Sequence, residues 1–366
     1  MKGEVAYLYV YDTGAELNLD KIERVLDKRA QVMKLAYARA VPRYIDLPKP
    51  LTVKFSPVMF ETIKGPTRFD VSAKIFSVGA ISISIRTEVS CRFEDLASYD
   101  GLYIRLNGDD VPLSDYANDL YKKISESIRE AREQSYGPSS EPTMHTVFCI
   151  TETEVPVSDL MGRRKKELAA FLEKTDNPEK LSDNEVSDIL RYWYSYYGDD
   201  LIVVEWERAF VVEPSGKYED VLFIIETSNM QLVELIAYDD YLDKVLDKAY
   251  DDMGKVFSRR GILYSARATM RELSEIRIDL TEITEELANI TKFFGDWYLA
   301  KIYMSCSKKL HIDDWYKTVQ DKLETLSKLY AMANDENDSR RMFILELIVT
   351  LMFVVDIVVL LFIELR

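Results

Sequence analysis

Hydrophobic and polar residues alternate in the first part of the chain and take helical spacing later. Residues 4–12 alternate apolar and polar side chains, which predicts a β-strand, and residues 144–153 begin a second strand region. From about residue 221 to 253, apolar side chains recur every three or four positions, which predicts a long helix. The pattern therefore predicts an α+β fold, with a mixed α/β body followed by long helices.

A β-hairpin is predicted from two alternating segments. Residues 69–75 and 80–87 lie on either side of a short turn at 77–79. In the second segment isoleucine alternates with serine, so one face of the hairpin is apolar and the other is polar. We expect the polar face, with Ser82 and Ser84, to lie toward water.

After Gly261 the apolar spacing indicates helices that pack against each other. A repeat of three and four residues continues for more than three heptads, which is typical of a coiled coil or a helical hairpin. We expect this seam to join copies of the chain in a homo-oligomer, through Leu273, Ile276, Leu280, Ile283, Leu287, Ile290 and Phe294. A bend is predicted at 311–313, and the helical run after it uses Ile312, Trp315, Val319, Leu323, Leu326 and Tyr330.

The last part of the chain predicts a membrane-spanning helix. Residues 342–363 are apolar except for Glu346, Thr350 and Asp356. At about 1.5 Å per residue, a helix of this length covers roughly 33 Å, the thickness of the hydrocarbon core of a bilayer. Two arginines at 340–341 precede the apolar run, so the positive-inside rule places the bulk of the chain in the cytoplasm. We therefore predict a single-pass protein of the cell membrane with a C-terminal anchor.

These segments predict a division of the chain into parts. A stretch rich in Gly, Pro and Ser separates the first strands from the second strand region, which predicts a linker. The predicted division is an α/β domain at 1–136, the linker at 137–143, a second α/β segment at 144–260, a helical stalk at 261–339 and a transmembrane helix at 340–366.

Composition argues against several classes of function. The chain has 47 basic and 63 acidic side chains and a net charge of −16, which argues against binding nucleic acid directly. Its three cysteines lie far apart without a CxxC pair, so neither a disulfide framework nor a zinc site is predicted. The two histidines, His145 and His311, are too few for a histidine-rich metal site and argue against a catalytic triad. We predict no catalytic residue and no cofactor.

Four aspartates of the predicted helix at 221–253 share one helical face. Their carboxylate oxygens are ligands that suit a divalent cation, whereas the lysines between them favour a solvated face without a metal. We favour the solvated face and keep as weak metal candidates Asp240, Asp243, Asp247 and Asp251.

Two acidic residues lie inside the predicted membrane helix. A charged group near the centre of a bilayer costs about 3 kcal/mol or more. Glu346 lies one turn inside the span, from which its side chain reaches the cytoplasmic interface. For Asp356 we favour a protonated carboxyl group that hydrogen-bonds between copies of the chain; the alternative is a place in an ion or proton pathway.

The C-terminal segment resembles a known family. The pair Leu345-Glu346, followed by Asp356, resembles the C-terminal signature of the required-for-meiotic-nuclear-division family, also called Sad1-interacting-factor proteins. Upstream, Phe76-Ser77-Val78-Gly79-Ala80 resembles the Phe-x-x-Gly turn of that family. Leu347 stands where the family has Trp, and the Pro-Asp-Phe-Phe-Trp segment of the family is absent, so the resemblance is to a distant, prokaryotic branch.

The resemblance implies a protein without enzymatic activity. We therefore expect a membrane-anchored scaffold or tether that presents its α/β domain to a cytoplasmic protein partner and assembles as a homo-oligomer. The alternative is an oligomeric ion channel or transporter component that uses Asp356 in the membrane. That plan resembles the CorA magnesium channels, although this chain has one predicted span where that family has two, and it lacks the Gly-Met-Asn loop.

Overall fold

The computed structural model describes residues 1–26, 30–32, 50–106, 108–135, 141–257, 278 and 297–364. The strands are β1 (Lys2–Asp12), β2 (Ala15–Leu17), β3 (Ala30–Val32), β4 (Leu51–Lys54), β5 (Val58–Thr62), β6 (Gly65–Ile75), β7 (Ala80–Ser90), β8 (Tyr103–Leu106), β9 (Asp109–Pro112), β10 (Arg132–Ser135), β11 (Thr143–Glu152), β12 (Leu201–Val204) and β13 (Arg208–Val212). The helices are α1 (Leu19–Leu26), α2 (Leu113–Ser127), α3 (Val157–Met161), α4 (Lys165–Leu172), α5 (Asp183–Ile189), α6 (Glu219–Phe257), α7 (Trp297–Lys309) and α8 (Ile312–Glu364).

Strand β1 lies inside a large sheet. The sheet has the order β12-β13-β11-β1-β7-β6-β5-β8-β9, and β3 and β4 extend it beside β6. Strand β1 pairs antiparallel with both β7 and β11, and β11 pairs parallel with β13. The first strand of the chain is therefore held on both sides by segments that come much later in the sequence.

The β6–β7 hairpin is confirmed where the alternation predicts it. Phe76 donates its backbone N–H to the carbonyl of Ala80 at 2.9 Å, which closes the turn. Gly79 has a φ of +115°, and a Cβ at this position would lie 2.5 Å from the carbonyl oxygen of Ala15. Both the backbone conformation and the close approach of Ala15 therefore require glycine.

Both faces of the sheet are covered. On one face, a core cluster combines alternate residues of the central strands, such as Tyr7, Val71 and Ile83, with residues of α2, α4 and α5. On the other face, Val10 and other small or apolar side chains pack against Val233 and its neighbours in α6. A strand that is covered on both faces carries apolar residues at nearly every position, as β1 does.

The prediction that the serine face of the hairpin lies toward water is wrong. Ser82 and Ser84 are 0% and 2% exposed. Ser82 is paired across the sheet with Lys74, and Lys74 forms an ion pair with Glu226 of α6. Helix α6 therefore covers this face of the sheet and contributes polar side chains to the contact. As a result, the serine face of the strand is both polar and buried.

Helix α6 is long and apolar because it lies inside the protein. Within the described residues, Glu219–Asp251 is a helix whose length and composition would allow it to cross a membrane, but 94% of its apolar window is buried. It lies in the middle of the chain, in contrast to the C-terminal position that we predict for the span. Its burial is typical of the core helix of a folded domain.

Strand pairing joins the parts of the chain on either side of the predicted linker. Strand β11 follows the predicted linker 137–143 and pairs with β1, so 1–136 and 144–260 share one sheet. One compact unit comprises Met1–Tyr238 with Ile283–Tyr316, and a second comprises Asp239–Glu282 with Lys317–Arg366. The composition of 137–143 is local information, whereas strand pairing joins segments that are distant in the sequence.

Helix α8 follows the predicted bend and has buried positions along its first part. The bend predicted at 311–313 is confirmed, since α7 ends at Lys309 and α8 begins at Ile312. The positions that the sequence assigns to the buried side of the second run are at most 3% exposed at Ile312, Val319, Leu323, Leu326 and Tyr330. This spacing shows an amphipathic helix and does not establish a coiled coil. Leu273, Ile276, Leu280, Ile283, Leu287, Ile290 and Phe294, the predicted seam, lie outside the described residues.

Candidate functional site

A cavity of about 130 Å³ lies on the sheet where β1 and β11 run side by side. Tyr7 is paired with Thr146, Leu8 with His145, and Tyr9 with Met144. Because successive side chains of a strand point to opposite faces, Tyr7, Tyr9, Met144 and Thr146 share one face, and Leu8 and His145 point to the other. The backbone of Leu8 and His145 therefore forms the floor of the cavity.

The start of helix α2 borders the same cavity. Pro112, Leu113 and Ser114 line it, together with Leu102 from the preceding segment. Pro112 occupies the N-cap position and makes no side-chain cap hydrogen bond. Leu113 donates its backbone N–H to the carbonyl of Leu102 at 2.9 Å. The next N–H groups of the helix have no partner within the helix itself, as at every helix N-terminus.

Four charged side chains, of which Asp100, Lys174 and Glu207 line the cavity, form a chain of ion pairs that we call its mouth. Asp100 accepts a hydrogen bond from Nη2 of Arg208 at 2.6 Å and lies 3.3 Å from Nζ of Lys174. Lys174 also pairs with Glu207. Two carboxylates and two cations therefore leave the mouth without net charge.

Asp100 is the centre of this chain. Its carboxylate also accepts a hydrogen bond from Oγ1 of Thr146 at 2.9 Å, and its side chain is 13% exposed. Burial by itself would raise the pKa of Asp100, but the hydrogen bond and charge of Arg208, assisted by Lys174 and Thr146, outweigh it and hold the pKa below its usual value. Asp100 is therefore ionised at neutral pH.

Arg208 is the buried member of the network. Its side chain is 6% exposed, and its guanidinium group lies 5.1 Å from the centre of the Phe171 ring. It also donates a hydrogen bond to the carbonyl of Phe171, at the end of α4. The hydrogen bond to Phe171 therefore joins β13 to α4, and the ion pair with Asp100 joins β13 to the segment after β7.

Lys174 has a backbone conformation that usually requires glycine. Its φ is +57°. Thr175 donates its N–H to the carbonyl of Ala170 at 3.0 Å, and Lys174 donates to Phe171 at 3.4 Å, which is the Schellman pattern that closes a helix. A left-handed residue other than glycine costs roughly 1–2 kcal/mol. The ion pairs of Lys174 with Asp100 and Glu207 partly offset this cost.

His145 is buried on the opposite face of the strand. It is 2% exposed, and neither ring nitrogen has a hydrogen-bond partner among the described residues. Burial, assisted by the charge of Lys174, lowers its pKa to about 3, and the charge of Asp100 only partly opposes this shift. His145 is therefore neutral at physiological pH.

The aspartate face of α6 is partly engaged in an ion pair. Nζ of Lys322 in α8 lies 2.5 Å from Asp243 and 2.7 Å from Asp239. Burial would lower the pKa of Lys322, but its hydrogen bonds to the two carboxylates raise it. Asp240 is half-buried, and Asp247 and Asp251 are exposed. The part of the chain that the structure describes contains no cluster of three or more His, Cys, Asp or Glu side chains that could hold a metal ion.

The two acids of the C-terminal apolar run lie on helix α8. Glu346 and Asp356 are both exposed, and their apolar neighbours are exposed as well. Oγ1 of Thr350 donates to the backbone carbonyl of Glu346 at 2.7 Å. Among the residues that the structure describes, none forms an ion pair or a hydrogen bond with the side chain of Asp356.

The sequence alone does not predict the network of ion pairs beside the cavity. Arg208 interrupts an apolar strand segment, and a charge in such a segment signals a buried partner. The identity of that partner, Asp100, depends on a contact between distant parts of the chain. Lys174 gives no sequence signal of its left-handed conformation.

The fold and the cavity define a mixed α/β domain with C-terminal helices and a small pocket beside its central strand. The chain belongs to the family described as "Uncharacterized protein MJ0711, N-terminal domain", whose model matches residues 2–219. That match covers the entire sheet and ends where α6 begins. The chain therefore belongs to an uncharacterised family. This match gives no support to the meiotic-nuclear-division family, which the C-terminal motif resembles.

A curated relative comes from an archaeon. Uncharacterized protein MJ0711 of Methanocaldococcus jannaschii is 20% identical over 226 residues, which cover 62% of this chain. The match spans 66% of the relative's own length, slightly under two thirds. No solved structure matches the chain.

Proposed function

We propose that the chain is a non-enzymatic membrane-anchored scaffold, held by the C-terminal part of α8. The observation that carries this proposal is the exposure of every described residue at 342–358. The large apolar side chains among them are between 37% and 72% exposed. Soluble proteins rarely expose a contiguous apolar surface of this kind, because its contact with water is unfavourable.

The distribution of apolar residues around the helix favours a membrane span over a helix that binds in a groove of another protein. The apolar residues surround the helix, whereas a helix that binds in a groove has one apolar stripe. The helix continues to Glu364, and 342–363 is long enough for a bilayer core. The arginines at 340–341 favour a cytoplasmic location for the rest of the chain. The cell membrane is therefore the proposed location, and the proposed role is to present the α/β domain to a cytoplasmic protein.

Flotation of membranes on a sucrose gradient tests the anchor. We expect the full-length chain to float with membranes and to resist extraction with carbonate. The double substitution Leu351→Arg with Met352→Arg places two charges in the middle of the apolar run, at a cost of about 5–7 kcal/mol on insertion scales. We expect this variant to leave the floating fraction.

A matched variant controls for the added charges. Ala331 and Met332 are exposed on the same helix outside the apolar run. Ala331→Arg with Met332→Arg should therefore float like the unmodified chain. A wild-type chain that stays at the bottom of the gradient, or two double variants that float equally, would contradict the anchor.

Asp356 favours a second candidate, an oligomeric channel or transporter component. A carboxyl group inside an apolar run is costly unless it is protonated, paired or in contact with water. The structure gives Asp356 no partner among the described residues of its own chain, so a second copy or a pore would have to supply one. One helix per chain encloses a pore only with about four or more copies. Native mass spectrometry of the full-length protein in nanodiscs gives the copy number, and a monomer or dimer would exclude a pore.

A further inference from the structure

The cavity between β1, β11 and the start of α2 combines apolar walls with unused hydrogen-bond donors. Leu102 and Leu113, both at most 4% exposed, contribute apolar wall. Tyr9 lines the cavity, is 7% exposed, and its hydroxyl has no hydrogen-bond partner within the described part of the chain. Tyr7 differs, since its hydroxyl donates to the carbonyl of Tyr99 at 2.5 Å. The hydroxyl of Tyr9 is therefore a donor at the wall of the cavity, and a ligand can supply its partner.

The N-terminus of α2 adds donors of the same kind. Helix α2 has 15 residues, and no side chain caps its N-terminus. Ser114, which lines the cavity, contributes a hydroxyl group, and the free backbone N–H groups of the first turn carry partial positive charge. Such a helix end binds anions readily.

The surrounding charges permit an anionic ligand. Asp100 and Glu207 at the mouth are each paired with a cation, so the four charged groups cancel. Asp115 in the first turn of α2 is exposed, where water and salt screen its charge. Among the polar groups of the cavity, the helix end, Tyr9 and Ser114 can then donate hydrogen bonds to an anion.

We propose that this cavity binds a small monocarboxylate, with its carboxylate at the N-terminus of α2 and its hydrocarbon part against Leu102 and Leu113. One carboxylate oxygen accepts a hydrogen bond from the hydroxyl of Tyr9, and the other accepts from the first turn of α2. An engineered apolar cavity of about 150 Å³ holds benzene, so a cavity of about 130 Å³ suits a ligand of about six non-hydrogen atoms.

The test compares butyrate with butylammonium, which has a hydrocarbon part of similar size and the opposite charge. Saturation-transfer NMR is recorded on the full-length chain in detergent solution, with a protein-free detergent sample subtracted. We expect saturable binding of butyrate and none of butylammonium at the same ionic strength. Absence of butyrate binding, or equal binding of the two probes, would overturn the proposal.

Three variants locate the binding. Tyr9→Phe removes only the hydroxyl and should weaken butyrate about tenfold, the typical effect of one hydrogen bond to a charged group. Ser114→Asp places a carboxylate at the helix end, where it favours the helix and should abolish butyrate binding. Tyr11→Phe is the matched control, because Tyr11 lies on the same face of β1, stacks on Tyr121 and does not line the cavity.

Circular dichroism melting shows whether each variant remains folded. A folded Tyr9→Phe variant with unchanged butyrate affinity would overturn the assignment. Equal weakening by Tyr9→Phe and Tyr11→Phe would do the same. Because these readouts concern only the cavity, they are independent of whether α8 spans a membrane.

Discussion

At the residue scale, Lys174 combines an unfavourable backbone conformation with favourable ion pairs. Glycine at this position would remove the strain of a positive φ, and any neutral residue would remove the pairs with Asp100 and Glu207. We predict that Lys174→Ala is less stable than Lys174→Gly by about 1 kcal/mol, because both lose the ion pairs and only glycine relieves the backbone. Thermal unfolding of the two variants measures the difference, and equal stability would show that the left-handed conformation costs nothing here.

His145 makes stability depend on pH. Its pKa is about 3 in the folded chain and about 6.5 in an unfolded one, so the unfolded state takes up a proton first as the pH falls. The stability due to the neutral ring is complete above about pH 6.5 and is lost progressively toward pH 3. We predict a loss of about 2 kcal/mol between pH 7 and pH 5 from this residue.

Comparison of variants isolates the contribution of His145. His145→Met should unfold with a weaker dependence on pH than the unmodified chain, measured by denaturant titration at pH 7 and pH 5. His311→Gln is the control for the removal of a histidine, because the His311 side chain is exposed in the folded chain. The prediction fails if the His145→Met variant keeps the full pH dependence.

At the element scale, the ion pair of Lys74 and Glu226 joins the sheet to α6. The two side chains are 8% and 2% exposed. We predict that Lys74→Met destabilises the chain by about 3–5 kcal/mol, because it leaves the Glu226 carboxylate buried without its cation. Lys74→Met with Glu226→Leu should recover most of this loss, since neither charge remains. Chemical unfolding measures both variants, and a double variant no better than the single one would contradict this explanation.

Local patterns predict the helices and strands themselves better than they predict which of these elements pack together. The strand at 4–12, the hairpin and the helix near 221–253 follow from alternation and from helical spacing, and the structure has each of them. The pairing of β11 with β1 and the cover that α6 gives to Ser82 depend on contacts between distant segments, which spacing does not encode. The same limit applies to the cavity, because Tyr9, Ser114 and Asp100 come from separate parts of the sequence.

At the scale of the whole molecule, assembly depends on how Asp356 is accommodated. If its carboxyl group hydrogen-bonds between copies, Asp356→Leu should lower the copy number of the full-length protein in nanodiscs. Membrane insertion should remain, because leucine favours the bilayer. Native mass spectrometry measures the copy number, and Val355→Leu at the neighbouring exposed position is the control. An unchanged assembly would remove Asp356 from the contact between copies.

The position of β1 also affects how the chain folds during synthesis. β1 is made before its two neighbours in the sheet, which occupy Ala80–Ser90 and Thr143–Glu152. At about 5–20 residues per second, roughly 7–28 s pass before a ribosome has produced both. Folds that depend on such distant pairings form slowly, since long loops must close first. The nascent strand, rich in tyrosine and valine, therefore remains open to wrong partners until the translation of β11 is complete.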